Sequence, residues 1–117
     1  MFILYGIKHC DTVKKALAFL QEHECECRFH DVRADGIDEA LINTWLHFVS
    51  WETLVNTKSK TWQGLSTSEK QGLNEQRAVH LICQHPTLLK RPVLNTGKNV
   101  LVGFDSSLYF KAIDENR

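Results

Sequence analysis

The chain has 117 residues, 43% of them hydrophobic and 24% charged, the size and make-up of one globular domain, which excludes a globally disordered chain. Fourteen Lys and Arg balance fourteen Asp and Glu. That balance excludes the basic surplus of a general nucleic-acid binder and gives no charge-driven pull to a membrane surface. No apolar run approaches the ~20 residues of a spanning helix. The start, Met1-Phe2-Ile3-Leu4-Tyr5-Gly6, lacks the basic and long apolar regions of a signal peptide. The expectation is therefore a cytoplasmic protein, where four cysteines do not imply a disulfide framework.

Residues 2–5 are apolar and aromatic and predict a short buried strand bounded by Gly6. After the loop Gly6-Ile7-Lys8-His9, the residues Val13, Ala16, Leu17 and Leu20 recur at helical spacing, with Lys14, Lys15, Gln21 and Glu22 on the other face. The helix starts near Cys10-Asp11-Thr12, where Asp and Thr suit an N-terminus. Residues 27–32 alternate and predict a second strand, so the first ~30 residues form a βαβ unit with parallel strands.

From 37 to about 89 the period turns helical. Asp38 can cap a helix carrying Leu41, Trp45, Leu46 and Val49, Ser50 a short one containing Leu54, and Asn74 one with Ala78, Leu81 and Ile82 that ends near Pro86. Ser66-Thr67-Ser68-Glu69 has capping-box spacing. Residues 56–62 read as a polar, basic loop. Trp45 and Trp51 read as core, whereas Trp62, in that loop, is the tryptophan placed to cover a site.

After Arg91-Pro92, Val93-Leu94 and Val100-Leu101-Val102 flank a hairpin turn at Asn95-Thr96-Gly97-Lys98. Asp105 then caps a last helix with Leu108, Tyr109, Ala112 and Ile113. The order β-α-β, helical block, β-β-α predicts an α/β thioredoxin-like fold, a mixed four-stranded sheet with a helical insertion over about 37–89, in one domain spanning 1–117.

Cys10 lies where the first strand gives way to a helix. Unpaired N–H groups and the positive end of the helix dipole favour an anion there, so the thiolate gains over the thiol and Cys10 reads as a nucleophile rather than a packed core residue. Lys8, His9, Lys14 and Lys15 add positive charge nearby in sequence, and Thr12 can donate a hydrogen bond to the sulfur. Position 13 holds Val, so there is no CxxC dithiol. A single thiol can attack a disulfide or an oxyanion but needs an outside thiol, most simply glutathione, to release the adduct. Cys25, Cys27 and Cys83 are alternatives only by default, since Cys27 sits in a strand and Cys83 in a helix.

His23, Cys25, Cys27 and His30 cluster in sequence, but the C-x-C spacing is atypical for a metal site and no metal is expected. His47, His80 and His85 show no ligand pattern. Arg91 precedes Pro92. A cis bond would turn Arg91 towards the Cys10 loop to hold an oxyanion or a glutathione carboxylate, whereas a trans bond would leave a plain strand entry with a solvated Arg. Lys58 and Lys60 form a solvated turn or line an anion site.

Tyr5-Gly6-Ile7-Lys8-His9-Cys10-Asp11-Thr12-Val13-Lys14-Lys15-Ala16 and His85-Pro86-Thr87-Leu88-Leu89-Lys90-Arg91-Pro92-Val93 resemble the arsenate reductase (ArsC)/Spx family, and within it the YffB-like branch. Phe29-His30-Asp31-Val32-Arg33-Ala34-Asp35-Gly36 and Asn56-Thr57-Lys58 are similar to that branch as well. The resemblance covers essentially the whole chain. It implies a nucleophilic cysteine at Cys10, a cis-proline at Pro92, Arg91 facing the thiol, and a glutathione-dependent thiol reductase with glutathione or glutaredoxin as partner.

Two departures bear on the activity. The family's arsenate reductases surround arsenate with three arginines. Arg91 matches one, Asn56 stands in the stretch that would carry the second, with Lys58 two residues on, and none stands near Val102-Gly103. Spx-type regulators, which bind RNA polymerase, often carry a CxxC switch that Val13 breaks here. The readings are thus a single-cysteine reductase, with Thr12, Lys8, Lys58 and Arg91 stabilising the thiolate or an anion; an Spx-like partner of the RNA polymerase α subunit; or a weak arsenate reductase. None of them includes direct nucleic-acid binding or a membrane.

Overall fold

The apolar run after Met1 forms strand β1 (Phe2–Gly6), with Phe2, Leu4, Tyr5 and Gly6 buried. It is followed by helix α1 (Asp11–Glu22), which buries Val13, Ala16 and Leu20, and strand β2 (Cys27–Asp31). The computed structural model describes all 117 residues. By internal contacts the chain divides into two units, one of Met1–Gly36 with Arg91–Arg117 and one of Ile37–Lys90.

In the first unit β1 pairs in parallel with β2, Gly6 opposite Asp31, and antiparallel with β3 (Val93–Asn95), which pairs antiparallel with β4 (Val100–Val102). The sheet order is β2-β1-β3-β4. Short antiparallel strands joined by the Gly97 turn (φ 89°) make the expected hairpin. Helix α7 (Ser106–Glu115) is capped by the Asp105 carboxylate, which accepts the Leu108 N–H at 3.1 Å. The core is Leu4, Val13, Ala16, Leu20, Leu94, Tyr109, Ala112 and Ile113, with Phe2. This is the thioredoxin-like arrangement, βαβ followed by ββα on one mixed sheet. Leu108, expected in the core, is 50% exposed, because adjacent Tyr109 takes the inward position and neighbours on a helix point ~100° apart.

The second unit is helical: α2 (Glu39–Trp45), α3 (Trp51–Leu54), α4 (Lys60–Gln63), α5 (Thr67–Gln71), α6 (Glu75–Gln84) and a 3-10 turn at Pro86–Leu88. Asp38, Ser50, Ser66 and Asn74 each cap the following helix, and Ser66 with Glu69 forms the capping box. Val55 and Leu89 make an isolated antiparallel bridge. Three expectations change. Helix α2 turns Ile42 and Trp45 inward and stops at Trp45, before Leu46 and Val49. The polar stretch 56–62 contains the start of α4, because the Ser59 hydroxyl accepts the Trp62 N–H at 3.1 Å and so nucleates a turn. Trp51 opens α3 and is half-buried rather than core.

Candidate active site at the N-terminus of helix α1

Cys10 is the N-cap of α1 (φ −89°, ψ 124°), so its side chain stands at the helix start among N–H groups without intrahelical partners. Its sulfur makes no capping hydrogen bond. It is half-buried and packs against the first unit's core cluster. The turn that delivers it is tight. The Cys10 N–H donates to the Ile7 carbonyl at 3.3 Å, and the Cys10 carbonyl accepts from Lys14 at 3.0 Å. Between them His9 lies in the left-handed region (φ 72°), which disfavours a side chain with Cβ.

A second element holds this turn. The buried Asp31, last residue of β2, accepts the Lys8 N–H through Oδ2 at 3.1 Å and the Arg33 and Ala34 N–H groups through Oδ1 at 2.8 and 3.0 Å. Burial opposes its ionisation. The N–H groups of Ala34, Arg33 and Lys8, with the Arg33 charge, outweigh that and hold the carboxyl below its ordinary range. Sequence reasoning passed over Asp31 as a strand residue. The signal was Asp31 two and three residues ahead of Arg33 and Ala34, with Asp35-Gly36 following, the pattern of an Asx-type turn.

Of the other residues singled out, Lys8 and Thr12 have exposed side chains on either side of Cys10. Pro92 is buried, and the Arg91–Pro92 peptide bond is cis. Arg91 belongs to the same unit as Cys10. Its Nε and Nη1 are buried and have no hydrogen-bond partner, an arrangement that costs free energy. Lys58 belongs to the other unit, exposed, its N–H donating to the Asn56 side chain at 3.1 Å. Trp62 is half-buried under the Lys70 ammonium, 5.3 Å from the ring centroid.

The remaining thiols are placed otherwise. Burial raises the Cys25 thiol, pushes Cys27 up to about 11, with the neighbouring Cys25 adding to it, and raises Cys83, to which Glu39 and Asp38 also contribute. Thiols kept protonated are slow nucleophiles at neutral pH. His23 stacks on Phe19 (centroids 4.2 Å apart) and His30 bonds the Gly36 carbonyl at 2.7 Å. No cluster of His, Cys, Asp and Glu is arranged to hold a metal ion, and no helix is long and apolar enough to cross a membrane.

A thioredoxin-like mixed sheet, a cysteine at the N-cap position of its first helix and a cis-proline ahead of its third strand together define the class of fold. The chain belongs to the ArsC family, whose model matches residues 5–112. It is 40% identical to the solved YffB protein, with a TM-score of 0.91 over 96% of this chain and 98% of that one. It is also similar to an arsenate reductase-related protein from Brucella melitensis (34% identity, TM-score 0.76, 92% and 90% of the two chains). Among curated relatives, the global transcriptional regulator Spx 2 of Bacillus cereus is 31% identical over 90% of this chain and 81% of its own length.

Proposed function

We propose that the protein is a glutathione-dependent thiol–disulfide oxidoreductase with Cys10 as its single nucleophile. The observation that carries the reading is the Arg91 guanidinium, with Nε and Nη1 desolvated and unpartnered in the unit whose first helix Cys10 caps. A permanently charged guanidinium with two donors unused suits a carboxylate or oxyanion acceptor of an incoming substrate.

In the first step the Cys10 thiolate attacks a sulfur of a substrate disulfide. The S–S bond breaks, a mixed disulfide forms on Cys10, and the departing thiolate takes a proton from solvent. A glutathione thiolate then attacks the substrate sulfur of the mixed disulfide, which restores the Cys10 thiolate and leaves a substrate–glutathione disulfide; a second glutathione thiolate cleaves that to the substrate thiol and oxidised glutathione. The two electrons that reduce the substrate come from the pair of glutathione sulfurs. A glutaredoxin can replace free glutathione in the second step. The protonated state of Cys25, Cys27 and Cys83 supports an outside thiol as the resolving group. To Thr12 and Lys8, which flank Cys10 in sequence with exposed side chains, we assign the hydrogen bond and the positive charge that the sulfur takes up once ionised.

The test is incubation with oxidised glutathione followed by intact and peptide mass spectrometry. One glutathione adduct is expected on Cys10, reversed by excess reduced glutathione and absent in Cys10→Ser. Arg91→Ala is expected to weaken adduct formation roughly ten- to a hundredfold, the scale of a charge-assisted pair. No adduct, or the same adduct in Cys10→Ser, overturns the reading. Arsenate is expected to be reduced at near-zero rate, because a single arginine neutralises a dianion poorly.

A second reading is favoured by the 31% identity to a protein named as a transcriptional regulator: a module that binds the RNA polymerase α subunit without turnover. Capture of the α subunit's C-terminal domain that survives Cys10→Ser, with no thiol transfer, would select it.

A further inference from the structure

The turn that presents Cys10 is poorly held by its own bonds. One hydrogen bond closes it, Cys10 N–H to Ile7 carbonyl at 3.3 Å, the long end of the useful range. It also contains the unfavourable His9 φ of 72°. Such a turn persists only where something outside it fixes the backbone.

We infer that Asp31 is a positioning residue for the Cys10 thiol: its carboxylate clamps the Lys8 N–H and so fixes the turn that carries the sulfur to the start of α1. The inference rests on the reading of Cys10 as a nucleophile. The Asp31 Oδ1 atom serves its own turn, accepting from Arg33 and Ala34. Oδ2 reaches across 23 residues of sequence to Lys8, a bond the local turn does not need. Asp31 is itself held at both sides. Its N–H donates to the Asp35 carboxylate at 3.0 Å, and the next residue, Val32, donates to the Gly6 carbonyl at 2.9 Å. The clamp is thus anchored to the β1–β2 register, and Lys8 is two residues from the thiol. When the Lys8 N–H is released, the sulfur loses its fixed place among the helix N–H groups.

Two variants isolate the bond in the full chain. In Asp31→Asn the amide oxygen can still accept from Arg33 and Ala34, but its NH2 faces the Lys8 N–H and cannot accept. In the second, a backbone ester replaces the amide at Lys8. It is made by joining a Met1–His9 thioester to a chain beginning at Cys10; it removes the N–H and leaves Asp31 intact but also weakens the Ile7 carbonyl as acceptor for the Cys10 N–H, whereas Asp31→Asn leaves that carbonyl unchanged, so the clamp is read from the slowing common to both. Asp35→Ala, which loosens the same turn without touching Lys8, is the control. The readout is the rate of Cys10 alkylation by iodoacetamide at neutral pH, by mass spectrometry, beside hydrogen exchange of the Lys8 amide in the Asn variant.

Both variants are expected to slow Cys10 roughly tenfold, the scale of one hydrogen bond to a charged group. The Lys8 amide is expected to lose protection while the Ala34 amide keeps it, and Asp35→Ala, which leaves the Val32–Gly6 anchor and the Lys8 bond in place, to slow Cys10 clearly less than Asp31→Asn does. The inference is overturned if the ester variant alkylates at the wild-type rate, or if Asp35→Ala slows Cys10 as much as Asp31→Asn does. Wild-type alkylation without a glutathione adduct would sink the reductase reading and leave the clamp standing.

Discussion

A Cβ built on Gly6 would lie 2.6 Å from Cγ2 of Val13, so the last residue of β1 has no side chain because α1 rests directly on it. Val13 is three residues after Cys10, and whatever pushes Val13 also pushes the helix start. Gly6→Ala is expected to destabilise the fold by about 1–3 kcal/mol through overpacking. Removing the facing methyls should recover part of that, so Gly6→Ala with Val13→Ala should cost less than the two single changes added together. Denaturant melts of the three variants measure the coupling. Strict additivity would mean that the close approach has no energetic consequence.

His9 carries the positive φ of the Cys10 turn. A β-branched side chain is worst tolerated there, so His9→Val should lose about 1–2 kcal/mol of stability. His9→Gly should lose little, since glycine adopts that region freely. Equal losses from the two, read by thermal or urea unfolding, would place the turn in another conformation.

The Asp31 carboxyl is held below its ordinary range in the folded chain. A group with a depressed folded pKa stabilises the fold above its unfolded value, ~3.9 for Asp, and that contribution disappears as pH falls through the folded value. Wild type should therefore be more stable than Asp31→Asn near neutrality, and the gap should close on acidification below about pH 4. Urea unfolding across that window measures it, and a gap independent of pH would contradict the clamp's ionic character.

Burial pushes the Cys27 thiol up to about 11. At neutral pH its thiolate fraction is far below that of an ordinary thiol at ~8.5, so alkylation of the native chain should leave Cys27 at least roughly tenfold behind an exposed cysteine. Its rate should keep climbing with pH until about 11. Cysteine-resolved mass spectrometry follows this, and early modification of Cys27 would reopen it as a resolving thiol.

The local elements were legible because their causes are local. Val13, Ala16 and Leu20 at helical spacing, the cap residues Asp38, Ser50, Asn74 and Asp105, and the Ser66–Glu69 box act within a turn or two of chain. Their neighbours in sequence are their neighbours in space. Misreadings fell where several residues compete for one face. Ile42 rather than Leu41 turns inward in α2, Tyr109 rather than Leu108 in α7, and Trp51 stays half-exposed. Apolar character alone does not rank such rivals, because depth of burial is set by what packs opposite.

The sequence by itself determined the βαβ start, the hairpin and the place of Cys10 at a helix N-terminus, since pattern, caps and turn residues act over a few positions. Only the tertiary structure decided which isomer the Arg91–Pro92 bond takes, that the Arg91 Nε and Nη1 are buried and unpartnered, and that Asp31 reaches the Lys8 N–H. Each of these depends on groups far apart along the chain. Desolvation and long-range hydrogen bonding exist only once the sheet has brought those groups together.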